Sequence, residues 1–321
     1  MSYSALLVGL GQIGMNDDLG LDPDKYVYTH ARALTEHSAF DLVAAVDLDQ
    51  QRCSTFEQHY HLPTYQHITE ACRQHKTDLV IIATPTTHHY QALQQVLAAS
   101  IPKVVLCEKP LAYSMDEADS IVRLCSENNI DLYVNYMRRS DNAVAEIKRR
   151  IENNDITLPV KGTAWYTKGL LHNGSHLLNL LEYWLGPVVE TTLINHGRKL
   201  DNNDFEPDVS IKFKQGEIIF LSAWEESFSH YTIEILSRSG RLRYEHGGEN
   251  VKWQSISKDP CFEGYTMLCE KQENIASDMK RYQWHVTEQL AQAMAGHRAY
   301  LCSGDEALQT LSTLINIDQR T

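Results

Sequence analysis

Short apolar runs recur along the first 140 residues of the chain, with amphipathic segments between them. The runs predict strands buried on both faces of a parallel sheet, because such strands show no polar alternation. They lie at 5–8, 41–46, 78–83, 103–107 and 131–135. The intervening segments repeat apolar residues at helical spacing, as at 50–59, 90–99 and 114–128. Strands that alternate with helices in this way predict a doubly wound α/β domain.

From residue 160 the pattern changes to the two-residue alternation of half-buried strands. The alternating stretches lie at 161–167, 209–213, 217–224, 232–237 and 241–244. Hairpin turns are predicted at Gln215-Gly216 and Ser239-Gly240. One helix, at 175–185, interrupts these strands, and helices at 271–295 and 305–317 follow them. The sequence therefore predicts a parallel-sheet domain over 1–137 and an α/β domain with an open, mainly antiparallel sheet over 138–321. The C-terminal helices, about 271–321, are predicted to pack back on the first domain.

A glycine-rich turn directly follows the first predicted strand. Gly9, Gly11 and Gly14 have the spacing G-x-G-x-x-G around Gln12 and Ile13. The first glycine permits the tight turn, the second lets a pyrophosphate approach the backbone, and the third allows the helix to pack closely on the strand. The free N–H groups at the start of the helix then attract the phosphates. The turn predicts a dinucleotide site in a Rossmann domain.

An aspartate ends the second predicted strand. At the position of Asp47, a carboxylate can accept hydrogen bonds from both hydroxyl groups of an adenosine ribose, and it would repel a 2′-phosphate. This position favours NAD over NADP as the cofactor. The alternative is that Asp47 is a turn residue ahead of the helix that begins near Asp49, since aspartate is a common helix cap.

The helix expected after Gly14 is delayed by an insert at 15–28 and is predicted to resume at Thr29. The acidic residues and the proline of the insert are typical of a solvated surface loop. A second interpretation places the insert at the mouth of the cofactor cleft, because chain inserted after this turn emerges near the strand ends where ligands bind.

Polar residues also follow the third and fourth predicted strands. Candidate cofactor contacts at these strand ends are Thr84, Pro85, His88, Glu108 and Lys109. In a parallel sheet such residues lie over the ligand crevice. A lysine there can donate a proton to a carbonyl oxygen or hold a hydroxyl group in place. A surface turn for Lys109 and a neighbour of a helix cap for His88 are the alternatives.

The helix at 175–185 has a polar entrance that contains two glycines. Candidates for proton transfer or substrate contact at this entrance are Tyr166, Lys168, His172, Asn173 and His176, and Arg138 is a further candidate. Histidines four residues apart can bind a metal on one helix face, but no third ligand stands nearby in the sequence, so no metal site is predicted. Acid–base use of His176 is favoured, and a buried structural histidine is the alternative.

The net charge and the cysteine content limit which classes of partner and which cellular setting the sequence favours. The net charge of −13 opposes nonspecific binding to nucleic acid. The seven cysteines are scattered and never form C-x-x-C, which favours reduced thiols in a cytoplasmic protein over a disulfide framework or a zinc site. No stretch approaches the roughly 18 apolar residues of a membrane span, and the N-terminus does not resemble a secretory signal. The expected partner is a small molecule rather than nucleic acid or a membrane.

Together these motifs resemble the Gfo/Idh/MocA family, which includes glucose–fructose oxidoreductase and inositol dehydrogenase. The resemblance rests on Gly9, Gly11, Gly14, Asp47, Thr84-Pro85, His88, Glu108-Lys109-Pro110, Asn135, Arg138 and the entrance that ends at His176. It extends to Asp208-Val209, Gln215-Gly216, Ser222-Ala223-Trp224 and Gly304-Asp305-Glu306-Ala307-Leu308. It implies a Rossmann domain joined to an α/β domain whose open sheet often forms a dimer face, and thus a homodimer or homotetramer. It also implies hydride transfer between a nicotinamide and a hydroxyl or carbonyl carbon of a sugar, cyclitol or nucleotide sugar.

The same resemblance implies individual roles. Lys109 would contact the nicotinamide ribose and the substrate oxygen, and His176 would take or give the hydroxyl proton. His172 departs from the pattern, because the family often has an aspartate four residues before the catalytic histidine. Lys168 stands where glycines are common, and it either pairs with an anionic group of the substrate or is solvated at the surface.

Two other functions are compatible with these motifs. One is an NAD-assisted redox elimination or glycoside hydrolysis, in which the cofactor is transiently reduced and then regenerated. The other is a noncatalytic cofactor-binding protein with a regulatory or scaffold role.

Overall fold

The computed structural model of the protein describes residues 2–200 and 204–318. The chain divides into two compact units. The first comprises Met1–Ser140 and Lys280–Leu308, and the second comprises Asp141–Met279 and Gln309–Thr321. No helix in the described part of the chain is both long enough and apolar enough to cross a membrane.

The strands are β1 (Tyr3–Val8), β2 (Phe40–Val46), β3 (Thr64–Tyr65), β4 (Leu79–Ile82), β5 (Val104–Cys107), β6 (Asp131–Val134), β7 (Val160–Tyr166), β8 (Val188–Asn195), β9 (Asp208–Phe213), β10 (Gly216–Ser222), β11 (Thr232–Ser237), β12 (Gly240–Glu245), β13 (Asn250–Lys258), β14 (Thr266–Leu268), β15 (Glu273–Ile275) and β16 (Cys302–Ser303). The α-helices are α1 (His30–Glu36), α2 (Gln50–Tyr60), α3 (Ile68–Gln74), α4 (His89–Leu97), α5 (Met115–Glu127), α6 (Asn142–Glu152), α7 (Ser175–Leu185), α8 (Tyr282–Met294) and α9 (Gly304–Asp318).

The first unit is built on a sheet with the strand order β16-β6-β5-β4-β1-β2-β3. Strands β1 to β6 are parallel, and β16 pairs with β6 in the antiparallel direction. Every residue of β4 and β5 is buried, as expected for central strands covered on both faces. The order of the parallel strands is that of a doubly wound dinucleotide-binding sheet. The predicted Rossmann architecture is confirmed.

The insert at 15–28 interrupts a single series of helical backbone hydrogen bonds. The N–H groups of His30 and Ala31 donate to the carbonyl oxygens of Ile13 and Gly14, both at 3.0 Å. Helix α1 therefore continues the turn begun at the glycine motif, and the insert loops out between the two parts. Thr29 caps α1 through its hydroxyl group, as the predicted restart at this residue requires.

The second unit is built on a sheet with the order β14-β13-β12-β11-β7-β10-β9-β8, and β15 pairs with β13. Strands β7 and β10 are parallel, while the other neighbours are antiparallel. Helix α7 is buried over most of its length and contributes Leu177, Leu181 and Trp184 to the core of this unit. The predicted α/β domain with a mainly antiparallel sheet is confirmed.

The helix predicted at 271–295 is wrong in its first part. Residues Glu273–Ile275 instead form β15, in which Ile275 pairs with Val251 and is only 6% exposed. The unpaired edge of β13 and the apolar core beneath it outweigh the helical spacing of this short segment. The patterns used above also miss α6, β8 and β13. Alternation is weak in β8, where most side chains are at least half-exposed.

Candidate cofactor and substrate sites

The glycine turn joins β1 to α1 within the first unit. Gly9 has a φ of +104°, and a Cβ atom there would lie 2.5 Å from the carbonyl oxygen of Ala83. A Cβ atom on Gly14 would lie 2.1 Å from the Gly9 carbonyl oxygen. On Gly11, by contrast, a Cβ atom would have no heavy atom within 4 Å. The fold itself requires the first and third glycines, whereas Gly11 leaves the open space through which a pyrophosphate would approach.

Asp47 lies against this turn at the end of β2. Its Oδ2 accepts a hydrogen bond from the N–H of Leu10 at 2.7 Å, and its Oδ1 accepts from the N–H of Asp49 at 2.9 Å. The guanidinium group of Arg52 lies 3.6 Å from Oδ2. Asp49 caps α2, as the alternative interpretation of this segment anticipated. Asp47 thus fixes the glycine turn, and its contact with a ribose stays a prediction.

The loop after β4 carries the next group of candidates. The hydroxyl oxygen of Thr84 is buried and has no hydrogen-bond partner in the described part of the chain. Pro85 and His88 are exposed. His89, which the sequence analysis did not single out, places its ring nitrogens 2.9 Å from the Thr84 carbonyl oxygen and 3.0 Å from that of Leu111. This histidine ties the loop after β4 to the loop after β5.

Four polar side chains meet at the end of β5. Glu108 Oε1 accepts hydrogen bonds from His30 Nε2 at 2.8 Å and from Asn135 Nδ2 at 2.6 Å. Asn135 Nδ2 also lies 3.2 Å from Gln283 Oε1, and Gln283 Nε2 lies 2.7 Å from His30 Nδ1. Glu108 Oε2 accepts from the backbone N–H of Lys109 at 3.3 Å. These contacts connect α1, β5, β6 and α8 directly beside the candidate catalytic lysine.

The pKa of Glu108 lies below its ordinary value. Burial alone would raise it, but the hydrogen bonds of His30 and Asn135 and the charge of Lys109 together outweigh burial. The carboxyl group is therefore ionised although only 13% of the side chain is exposed.

Arg138 is half-buried in the short helical turn Met137–Ser140 that follows β6. It belongs to the same neighbourhood as Glu108, since both influence Tyr282. Burial raises the pKa of Tyr282, the charges of Glu108 and Asp17 add to this, and Arg138 opposes it. Arg138 therefore lies in the first unit, where its charge acts on Tyr282 of α8.

The base of the insert is fixed by a buried ion pair. The carboxylate of Asp18 accepts hydrogen bonds from the N–H groups of Tyr28 and Thr29 at 2.7 and 2.9 Å and from the Thr29 hydroxyl group at 2.8 Å. The Arg32 Nε lies 3.6 Å from the same carboxylate, and both side chains are almost fully buried. Tyr28 stacks on Tyr282 with a ring separation of 5.2 Å. The outer part of the insert, residues 20–25, is exposed as a solvated loop would be, and so is Asp17.

In the second unit, the entrance to α7 is a π-helical turn, Gly169–Gly174. Two buried carboxylates hold its free N–H groups: Asp204 accepts from Leu171 and His172, both at 2.9 Å, and Glu206 accepts from Gly169 at 3.1 Å. A Cβ atom on Gly169 would lie 2.0 Å from Asp204 Oδ2, so the turn closes tightly on this carboxylate. Single π turns are rare and often occur at functional sites.

The candidate side chains of this entrance differ in exposure. His172 is exposed, Asn173 is half-buried, and His176 is 6% exposed in the first turn of α7. Tyr166 is fully buried and donates its hydroxyl proton to the Pro207 carbonyl oxygen at 2.6 Å. The chemical roles of these residues stay predictions. In the described ranges, no three His, Cys, Asp or Glu side chains are grouped so that they could hold a metal ion.

Lys168 has a left-handed backbone conformation, with a φ of +67°. Its Nζ lies 3.3 Å from Glu225 Oε1. The lysine therefore has an anionic partner within its own unit, and its pairing with an anionic substrate stays a prediction.

Sequence reasoning missed the residues that position these candidates. His30 and Gln283 lie far from Glu108 along the chain, and Asp204 and Glu206 lie 30 and 32 residues beyond the end of the π-helical turn. No local spacing rule joins them, because each pair meets only when separate elements pack. The available signal is a polar residue at the spacing of an apolar helix face, as with Gln283, which shares a face of α8 with Val286 and Leu290.

A family model for oxidoreductases with an NAD-binding Rossmann fold matches residues 23–136. The match begins inside the insert and covers about a third of the chain. It includes α1 and β2 to β6, and thus His30, Glu108 and Asn135 of the cluster at the end of β5, but not Gln283.

Individual proteins are also similar to this chain. It is 32% identical over 144 residues to scyllo-inositol 2-dehydrogenase (NAD(+)) of Bacillus subtilis, which is 39% of this chain and 40% of the relative. It is 26% identical over 183 residues to 2,7-anhydro-N-acetylneuraminate hydratase of Escherichia coli, 49% of this chain and 48% of the relative. The chain therefore spans less than half the length of these two curated relatives.

Among solved structures, the WlbA dehydrogenase of Bordetella pertussis in complex with NADH and UDP-GlcNAcA matches with a TM-score of 0.74 and 18% identity. This match covers 98% of this chain and 94% of the other. At this identity the likeness concerns the fold, and it extends over both units. The Rossmann sheet, the glycine turn and the family match over residues 23–136 agree with the resemblance of the sequence motifs to the Gfo/Idh/MocA family of oxidoreductases.

Proposed function

We propose that the protein is an NAD-dependent oxidoreductase that transfers hydride between the nicotinamide and a hydroxyl or carbonyl carbon of a sugar, cyclitol or nucleotide sugar. The observation that carries the proposal is the shared edge of the first sheet. Because β1 and β5 are parallel strands of one sheet, the glycine turn and Lys109 both follow carboxyl ends at that edge. A dinucleotide there would have its phosphates at the turn and Glu108–Lys109 within reach of its far end.

The residues present fit such a cofactor. Gly11 leaves open space at the turn, and the buried oxygens Thr84 Oγ1 and Asn135 Oδ1 have no hydrogen-bond partner within the described ranges. Buried polar atoms in this state are uncommon and suit a ligand that completes their hydrogen bonds. When bound, the nicotinamide would supply the site that accepts or donates hydride.

Two side chains are proposed to act on the substrate. Lys109 would hold the substrate oxygen by a hydrogen bond and, in the reducing direction, donate a proton to it. His176 would take or give the hydroxyl proton. Both roles follow from the family resemblance, and the ionised Glu108 next to the lysine supports the first by favouring its charged form.

The substrate class follows from the relatives. One curated relative acts on scyllo-inositol, and one structural neighbour holds a UDP-sugar acid. Polyhydroxylated rings are common to both, and we propose this class for the present chain.

The test is NADH formation from NAD⁺ with scyllo-inositol, myo-inositol and UDP-linked sugars. Lys109→Ala and His176→Asn should each lower turnover by about 10²- to 10⁴-fold, since proton transfer and substrate positioning are lost. Lys103→Ala is the matched control, because its side chain is 70% exposed and pairs with Asp78. Full turnover in folded Lys109→Ala would refute the assignment, as would the absence of NAD⁺ binding by the unaltered protein.

A second candidate, NAD-assisted elimination or hydration, is favoured by the similarity to the 2,7-anhydro-N-acetylneuraminate hydratase. It predicts product from that sugar without net NADH, in a reaction that still requires NAD⁺. Chromatography of the product together with NADH absorbance separates the two candidates.

We also propose self-association through the second sheet. Ile219 in β10 and Leu236 in β11 are 37% and 50% exposed, on the face opposite to their buried neighbours. Light scattering should give a dimer or tetramer, and Leu236→Glu should shift it towards monomer.

A further inference from the structure

The hydrogen-bond directions around Glu108 can be read from the chemistry of its neighbours. An ionised carboxylate only accepts, so both Asn135 Nδ2 and His30 Nε2 must donate to Glu108 Oε1. With the amide of Asn135 oriented in this way, Gln283 presents its oxygen to Nδ2 and its own NH₂ group to His30 Nδ1. His30 Nε2 therefore donates to Glu108, and His30 Nδ1 accepts from Gln283.

This arrangement places the negative charge of Glu108 among side chains that are almost fully buried. The side chains of His30 and Gln283 are fully buried, and Asn135 is 3% exposed. His30 and Asn135 stabilise the Glu108 anion by donating hydrogen bonds to it, and the uncharged Gln283 orients both donors. Lys109, the next residue, is a cation close enough to lower the pKa of Glu108.

Other titratable groups face Glu108 from the elements packed around it. Burial raises the pKa of Cys107 on β5 and of Tyr282 on α8, so both stay protonated and neutral near pH 7. Burial lowers the pKa of His89 on α4, so it is neutral as well. At neutral pH, Glu108 is therefore the anion of this cluster, balanced by Lys109.

We propose that His30, Asn135 and Gln283 are positioning residues that keep Glu108 ionised beside Lys109, and that this charge makes the site favour the oxidised, positively charged nicotinamide over the neutral reduced ring. The inference rests on the proposed function, because it requires a nicotinamide at this edge of the sheet. His30 stands just after the insert in the chain. The segment that interrupts the first helix is therefore followed closely by the residue that hydrogen-bonds the ionised Glu108.

The test is the ratio of the dissociation constants for NADH and NAD⁺, measured by fluorescence and calorimetric titration without substrate. Glu108→Gln keeps the shape of the side chain and removes the charge. The NADH dissociation constant divided by the NAD⁺ dissociation constant should fall by about tenfold. The charge of Lys109 is then uncompensated near the cationic ring and weakens the binding of NAD⁺. Glu127→Gln, which alters an exposed carboxylate of α5, should leave the ratio unchanged.

A second variant separates charge from shape. His30→Leu removes one donor from Glu108, so burial is less well opposed and the carboxyl group takes up a proton at a higher pH. The ratio should then be low at about pH 6 and recover towards the wild-type value by about pH 9, while Glu108→Gln stays low throughout. If His30→Leu does not fold, Asn135→Ala removes the other donor and should behave in the same way.

An unchanged ratio in Glu108→Gln would overturn the inference even though both cofactors bind. A His30→Leu or Asn135→Ala ratio that equals wild type at every pH would overturn the positioning role. Failure of the unaltered protein to bind either cofactor would instead overturn the proposed function, and this inference with it.

Discussion

Replacing Asp18 by alanine should destabilise the first unit strongly, because Arg32 would remain buried without its carboxylate. The Arg32 residue is 5% exposed and Asp18 is fully buried. The substitution also removes the acceptor for two backbone N–H groups, those of Tyr28 and Thr29. The insert would lose the contacts that fix its return to α1.

The expected magnitude follows from burial. Removing one partner of a buried ion pair typically destabilises a protein by about 3–5 kcal/mol. A buried N–H group left without an acceptor contributes about 1–3 kcal/mol, and these effects overlap rather than add. We therefore expect the free energy of unfolding to fall by about 3–5 kcal/mol in Asp18→Ala. Combining it with Arg32→Met should recover about 2 kcal/mol, because the uncompensated charge is removed.

The assay is urea unfolding followed by hydrogen exchange, which reports on each unit separately. The amides of Tyr28 and Thr29 should lose protection first in Asp18→Ala. Asp22→Ala is the matched control in the same insert, since Asp22 pairs with Lys25 at the surface and should matter by less than about 1 kcal/mol. If Asp18→Ala is no less stable than Asp22→Ala and the two amides stay protected, the buried ion pair does not fix the insert.

Three further predictions concern single positions. Gly11→Ala should fold normally yet bind NAD⁺ at least about tenfold more weakly, whereas Gly20→Ala, equally free of contacts, should leave both properties unchanged in thermal and binding assays. Gly14→Ala should lower the free energy of unfolding by about 2 kcal/mol or more in urea, because its Cβ atom would strike the Gly9 carbonyl oxygen. Glu146 is hydrogen-bonded by two arginines that lower its pKa from 4.5 to about 2. Its ionised form stabilises the fold above pH 4.5, and that contribution disappears as the pH falls towards 2. Glu146→Gln should therefore be about 1 kcal/mol less stable at pH 7 and equal to wild type near pH 2 in pH-dependent unfolding.

The sequence by itself determined the Rossmann architecture and the order of its elements. Buried parallel strands must be apolar throughout, so β1, β4 and β5 are visible as short runs without alternation. The glycine turn is also visible locally, because Gly9 has a positive φ and Gly14 lies against the Gly9 carbonyl oxygen, although Gly9 also packs against Ala83 just after β4. The same holds for the restart of the helix at Thr29, whose side chain caps its own first turn. Local sterics and hydrophobic burial fix all of these features.

Only the tertiary structure decided how the candidate residues are held. Residues Glu273–Ile275 form strand β15 because they pair with an edge of β13, although the spacing of apolar residues in this segment predicts a helix. His30 reaches Glu108 from α1, Gln283 reaches His30 from α8 near the other end of the chain, and Asp204 reaches the π-helical turn from a distant loop. A buried charge is stabilised by whichever donors the packed fold brings to it. That choice depends on distances between elements, which no local pattern encodes.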